Sequence, residues 1–194
     1  ERRQSYENRP YGMASWEIQE ALFPMPHPYH WMTIGSQEDL DAAALEDVKD
    51  FFRRYYSPSN SSLAVVGDFK RDEALELVNR YFGDLPPGPP LPRMGRRDSP
   101  LAGRVELEMR DKVSLPRLYI CWPTPPDMDP DDAPLDLLQG ILSDGLSSRL
   151  HRSLVYEKQI AQSASVRYHP GEIAGQFVVQ VTAAEGHDLD EMEA

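Results

Sequence analysis

A single cysteine, Cys121, is all the thiol chemistry in this chain. An internal disulfide framework and a cysteine-built zinc knuckle are therefore excluded. Long apolar runs are missing too, since nothing approaches the roughly 18–20 residues of a membrane span. Positive charge is scarce. Twenty Lys and Arg face 32 Asp and Glu, a net charge of −12, which argues against nucleic acid or an anionic membrane as partner, because phosphate surfaces are held by clustered cations. The local signatures of catalysis are absent as well. None of the five histidines lies in H-E-x-x-H or H-x-x-E-H, and there is no G-x-G-x-x-G, phosphate loop or G-x-S-x-G elbow. The chain opens on Glu1 rather than methionine, without a signal peptide. Its last residues, Asp188 to Glu193, read as the opening turn of a helix, acids first to complement the macrodipole. The expectation is a segment cut at both ends from a longer protein.

What remains has the composition of a folded protein, 40% hydrophobic and 27% charged, long enough for one good-sized domain or two small ones. A helix is expected before Glu20, interrupted near Pro10, with Trp16, Ile18 and Leu22 on it. Phe23-Pro24-Met25-Pro26-His27-Pro28-Tyr29 then forbids helix and central strand alike. Ser36 to Asp39 has the shape of a capping box with Asp in place of Glu. Leu45, Val48, Phe51, Phe52 and Tyr55 recur at helical spacing and stop before Pro58. Leu63-Ala64-Val65-Val66-Gly67 suits a short buried strand, and Ala74 to Phe82 a helix ended by Gly83.

From Pro86 to Pro100 six prolines, Gly88, Gly95 and three arginines form an extended linker and a domain boundary. Beyond it Val105, Leu107 and Met109 alternate, as do Leu118, Ile120 and Trp122, giving two expected strands. Asp129-Pro130 is a helix start, with Leu135, Leu138, Ile141 and Leu142 on the apolar face and Gly145 as breaker. Ser147 or Ser148 caps a further helix carrying Leu150 and Leu154. Strands at 160–168 and 173–183 follow, joined at Pro170-Gly171, with Phe177, Val179 and Val181 half-buried.

Two clusters invite a metal. His27 and His30 are three apart, but the prolines around them make a rigid loop with no third ligand nearby, so a structural loop packing Tyr29 and Trp31 is the better account. Asp127, Asp129, Asp131 and Asp132 lack the glycine and terminal glutamate of a calcium loop and fit a solvated, helix-capping turn.

Taken in order, several blocks resemble one family. They are Glu1-Arg2-Arg3-Gln4-Ser5-Tyr6-Glu7-Asn8-Arg9-Pro10-Tyr11-Gly12, His27-Pro28-Tyr29-His30-Trp31, Ile34-Gly35-Ser36 with Asp39-Leu40, and Phe51-Phe52-Arg53-Arg54-Tyr55-Tyr56 with Pro58 and Asn60. Val65-Val66-Gly67-Asp68-Phe69, Ser147-Ser148-Arg149-Leu150 with Leu154-Val155, and Lys158-Gln159-Ile160-Ala161 complete the set. Their order and spacing are similar to those of the pitrilysin- or insulinase-like zinc metallopeptidases, over nearly the whole chain.

The resemblance implies an α+β fold from parts of two related halves, each a sheet flanked by helices. Residues 1–85 would be the C-terminal part of the first, zinc-bearing half, 86–104 the Pro/Arg-rich linker, and 105–194 the N-terminal part of the second, non-catalytic half. The family's zinc is held by an H-x-x-E-H helix, expected roughly 75–80 residues before Glu1, and by a later glutamate. Glu1 matches that third ligand. The H-x-x-E-H base lies outside the chain, so no catalytic residue is expected here, nor zinc bound to the segment alone, because a catalytic site needs about three protein ligands.

In many relatives an arginine and a tyrosine of the second half polarise the scissile carbonyl, and the matching positions hold Val155 and Gln162. Valine cannot donate a hydrogen bond and glutamine is a weaker substitute for a phenol. Arg149 is expected to anchor helix to sheet. The implied whole protein is a zinc-dependent endopeptidase acting on peptides or unfolded proteins. The alternative is a non-catalytic, substrate-holding or interaction subunit of the same family. Two incomplete layers also imply self-association of the segment. Compartment is left open between bacterial periplasm and cytoplasm.

Overall fold

A computed structural model describes residues 3–193. The chain divides into two compact units, residues 1–34 with 94–194, and residues 35–93.

The unit of residues 35–93 is helical. Helix α2 (Gln37–Ala42) starts where the Ser36 hydroxyl accepts the Asp39 amide hydrogen at 3.0 Å; helix α3 (Leu45–Tyr55) starts where the Ala44 amide donates to the Asp47 carboxylate at 2.8 Å. Each satisfies one of the orphan donors of a first turn. Helix α4 (Arg71–Phe82) ends at Gly83.

The strand expected at Leu63–Gly67 does not form. Val66 is 95% exposed, and no strand runs beside it among the described residues. An apolar run becomes a strand only when a neighbour takes its ladder hydrogen bonds. The first prolines of the linker fold back within this unit, the Ser59 amide donating to the Pro87 carbonyl at 2.9 Å. Gly88, at φ +79°, makes that approach possible, because a Cβ there would lie 2.3 Å from the Ser57 side chain.

The other unit is built on a three-stranded antiparallel sheet of β1 (Arg117–Thr124), β2 (Ala161–His169) and β3 (Gly175–Ala183), in the order β1-β3-β2. The sequence expectations for these strands hold, whereas Val105–Met109 stays extended and unpaired. Helix α5 (Asp132–Ser143) begins two residues beyond Asp129-Pro130. Those residues form the preceding turn, in which the Asp129 carboxylate accepts the Asp131 amide at 3.2 Å and an Arg96 guanidinium hydrogen bond at 2.7 Å. The chain continues through a π-helical segment, His151–Glu157, and closes with α6 (Leu189–Glu193).

Period-two alternation gives the sheet two unlike faces. Leu118, Ala164, Val166, Tyr168, Phe177, Val179 and Val181 pack on one side against Leu135 and Leu142 of α5, Leu150, Leu154 and Met192. Full burial of a Leu, Val or Phe side chain stabilises by about 1.5–3 kcal/mol, so the buried Leu154, Val166, Phe177 and Val181 contribute most. The opposite side carries the alternate residues: Arg117, Tyr119 and Cys121 on β1, Gln176, Val178, Gln180 and Thr182 on β3, Ser163, Ser165 and Arg167 on β2. Helix α1 (Ala14–Leu22) and the loop after it cover part of this polar side. Their buried centre is Leu22, Phe23 and Ala174, with Ile18, Tyr29, Leu101 and Cys121 around it.

Candidate functional site

Three departures from regular geometry meet where the π-helical segment enters β2. The wide turn closes with Lys158 N–H donating to the Ser153 carbonyl at 2.9 Å, five residues back. Gln159 then takes a left-handed conformation, φ +56°, a position few non-glycine residues occupy and one that costs on the order of 1–2 kcal/mol. Ile160 donates to the Leu154 carbonyl at 3.1 Å. Ala161 stands opposite Ala183 but Ser163 opposite Thr182, so Gln162 is an extra residue in the ladder. Bulges and π-turns both aim side chains away from the regular lattice and recur at functional sites.

This geometry separates the two positions flagged by resemblance. Val155 is half-buried and packs against the core of Leu154, Ala161, Val181, Ala183 and Met192. Gln162 is exposed and lines a cavity of about 460 Å³ with Ser114, Leu115, Ala184 and Glu185. The cavity wall is fixed by the backbone: Ala184 N–H donates to Ile160 O at 2.9 Å and Ala183 N–H to Pro116 O at 3.0 Å. The Tyr11 hydroxyl donates to Leu115 O at 2.7 Å.

Tyr11 also ties the N-terminal segment to the sheet. Its amide donates to the Asp111 carboxylate at 2.8 Å, and the Arg117 guanidinium lies 3.6 Å from its ring centroid. Arg117 in turn donates from Nε to Thr182 Oγ1 at 2.9 Å. Sequence reading missed this pair and Glu185. A polar Arg at the head of an otherwise apolar strand was the available signal for Arg117; none marked Glu185.

The remaining candidates resolve on local chemistry. His27 is buried with both ring nitrogens engaged, Nε2–H donating to Arg97 O at 2.9 Å and Nδ1 accepting from Tyr29 N–H at 3.0 Å. Its ring stacks on Phe23 at 4.8 Å. The His30 ring donates from Nδ1 to the Phe23 carbonyl at 3.2 Å. The loop is structural, as expected, although Trp31 is exposed rather than packed into it. Arg149 is exposed rather than anchored in the sheet. Glu1 lies outside the described residues.

Among the described residues no three of His, Cys, Asp and Glu come together as metal ligands. The described residues therefore do not by themselves supply a zinc site. No described helix is long and apolar enough to cross a membrane.

Comparison with known proteins places these features in context. Residues 42–194 match the family described as the peptidase M16 inactive domain. The chain is 32% identical, over 84% of its length, to the zinc protease PqqE of Helicobacter pylori, of which it covers 37%. It superposes on the crystal structure of a protease from Helicobacter pylori with a TM-score of 0.81 and 27% identity, covering 99% of this chain and 47% of that one. An M16 inactive domain from Pseudomonas fluorescens gives 0.74 at 24% identity, covering 93% of this chain and 43% of that one, and shows the same fold. The chain thus spans less than half the length of each.

Proposed function

Because this chain belongs to the peptidase M16 family, the pitrilysin- and insulinase-like metallopeptidases, we propose that it is part of a zinc-dependent endopeptidase cleaving peptides enclosed between two related halves. On this proposal residues 1–85 end the zinc-bearing half, 86–104 link, and 105–194 begin the non-catalytic half. Glu1 would be the third zinc ligand of the whole protein. The chain alone neither hydrolyses peptides nor retains zinc, since the H-x-x-E-H helix is absent from its sequence.

The observation that carries the reading is the polar side of the three-stranded sheet. It leads, through Thr182 and Ser163, to the bulge where Gln162 opens onto a cavity, within the stretch that matches the M16 inactive domain. The exposed Gln162, Ser163 and Arg167 side chains there offer hydrogen-bonding groups to an extended backbone.

The test compares the full-length protein with this chain on a denatured, fluorescently labelled polypeptide. Full-length protein should cleave it, lose activity to a chelator and regain it with zinc, while this chain should bind the polypeptide and cleave nothing. Cleavage by this chain alone would overturn the proposal. The second reading, a non-catalytic subunit that holds substrate, is favoured by Val155 and Gln162, which lack the donor pair of other relatives. It prevails if full-length protein binds without cleaving.

A further inference from the structure

We propose that the cavity beside the Gln162 bulge is a subsite for a basic side chain, Lys or Arg, of a bound peptide, with Glu185 as the residue that selects it. The proposal rests on the peptide-holding reading above and adds to it the substrate class.

The walls carry the argument. Half-buried Leu115 and Ala184 form an apolar floor in a cavity of about 460 Å³, suited to the methylene stem of a long cationic side chain. Both floor residues are held by hydrogen bonds at their backbone, Leu115 O accepting from the Tyr11 hydroxyl and Ala184 N–H donating to Ile160 O, so little ordering is required on binding. The rim is polar. Ser114 and Gln162 present a hydroxyl and a carboxamide, groups able to satisfy both N–H and C=O of a peptide.

Charge then decides the class. Among the described residues Glu185 is the only ionisable side chain lining the cavity; it is exposed and makes no ion pair with any of them. His187, two residues further on, is engaged with Glu191 at 2.7 Å. An acidic peptide side chain would meet repulsion here, and a purely apolar one would gain no attraction from a carboxylate that stays solvated.

The test uses three labelled, otherwise identical extended peptides carrying Lys, norleucine or Glu at one central position. Their affinities for the 194-residue chain are read by fluorescence anisotropy at low and high salt. The Lys peptide should bind about two- to fivefold tighter than the norleucine peptide, as a partly exposed ion pair allows, and the gap should shrink with salt. Glu185→Gln should abolish the preference by bringing the Lys peptide down to the affinity of the norleucine peptide, and Glu185→Lys should shift it to the Glu peptide. Glu185 is exposed, so both variants should keep the circular dichroism and melting temperature of the parent. Equal binding of all three peptides, or a Lys preference that survives Glu185→Gln, overturns the subsite alone. No binding of any of them overturns the peptide-holding reading with it.

Discussion

Tyr168 and Cys121 sit on opposite faces of the same sheet, yet the sheet treats their ionisation alike. Burial pushes the Cys121 thiol up from 9.0 to about 12. Tyr168 rises from 10.0 to about 12, through burial first and the Asp132 carboxylate next. In both cases the neutral form is the one the fold accommodates. A raised folded value means a stability contribution intact below the unfolded pKa and lost as pH climbs through the folded one. The urea midpoint should therefore hold to about pH 9 and then fall towards pH 12, with Cys121 unreactive to thiol reagents at pH 8 until the chain is unfolded. Tyr168 is only 8% exposed, and its hydroxyl sits beside Asp132 and Thr124 without a well-formed hydrogen bond to either. Tyr168→Phe removes that orphan, so it should cost nothing or stabilise by about 1 kcal/mol and flatten the alkaline fall. A drop in melting temperature at neutral pH would show instead that the hydroxyl is bonded in solution.

At the scale of elements, β2 is an edge strand whose outer backbone is only partly open. Gln139 Oε1 of α5 accepts the Tyr168 amide hydrogen at 2.5 Å, and Ser143 Oγ donates to the Val166 carbonyl at 3.3 Å. Two of the groups a foreign strand would use are thus taken by a helix of the same unit. Gln139→Leu should lower stability by about 1–3 kcal/mol, because a half-buried amide is left unsatisfied. It should also speed hydrogen exchange at Tyr168, a residue-level readout that a general loosening would not confine there.

The elements themselves were legible where pattern and neighbours agree. The alternation of Phe177, Val179 and Val181 reads as a strand and is one, because β1 and β2 flank it. Leu63–Gly67 and Val105–Met109 carry equally good patterns and form none, since periodicity records what a segment can pair with and not whether the partner is there. The bulge at Gln162 and the left-handed Gln159 had no local signal, as neither glycine nor proline marks them. They follow from closing the π-turn onto the core around Leu154, a tertiary demand.

For the molecule as a whole, the proline-rich run of residues 86–100 was readable as such from composition alone. Its return onto Ser57 and Ser59 was not, because that depends on a contact between positions some 30 residues apart. Length and charge likewise said nothing of how apolar surface is shared between the two units. In the unit of residues 35–93, Phe51, Phe52, Tyr55 and Tyr56 form a ring cluster, with centroids 4.6 Å apart for Phe52 and Tyr56, yet each of these side chains is exposed. Leu63, Val65 and Val66 are exposed in the same unit. Exposed rings and aliphatics of this kind favour association when they lie together, and an unpaired apolar run adds a free backbone edge. Net charge of −12 opposes association, but screening at physiological salt confines that repulsion to about 8 Å, while apolar attraction persists. The chain should therefore self-associate with rising concentration in light scattering, more strongly at 0.5 M than at 0.05 M salt. Val66→Asp should weaken the association without lowering the melting temperature, since Val66 packs against nothing. A monomer at all concentrations and salts would mean that these side chains find cover within one copy.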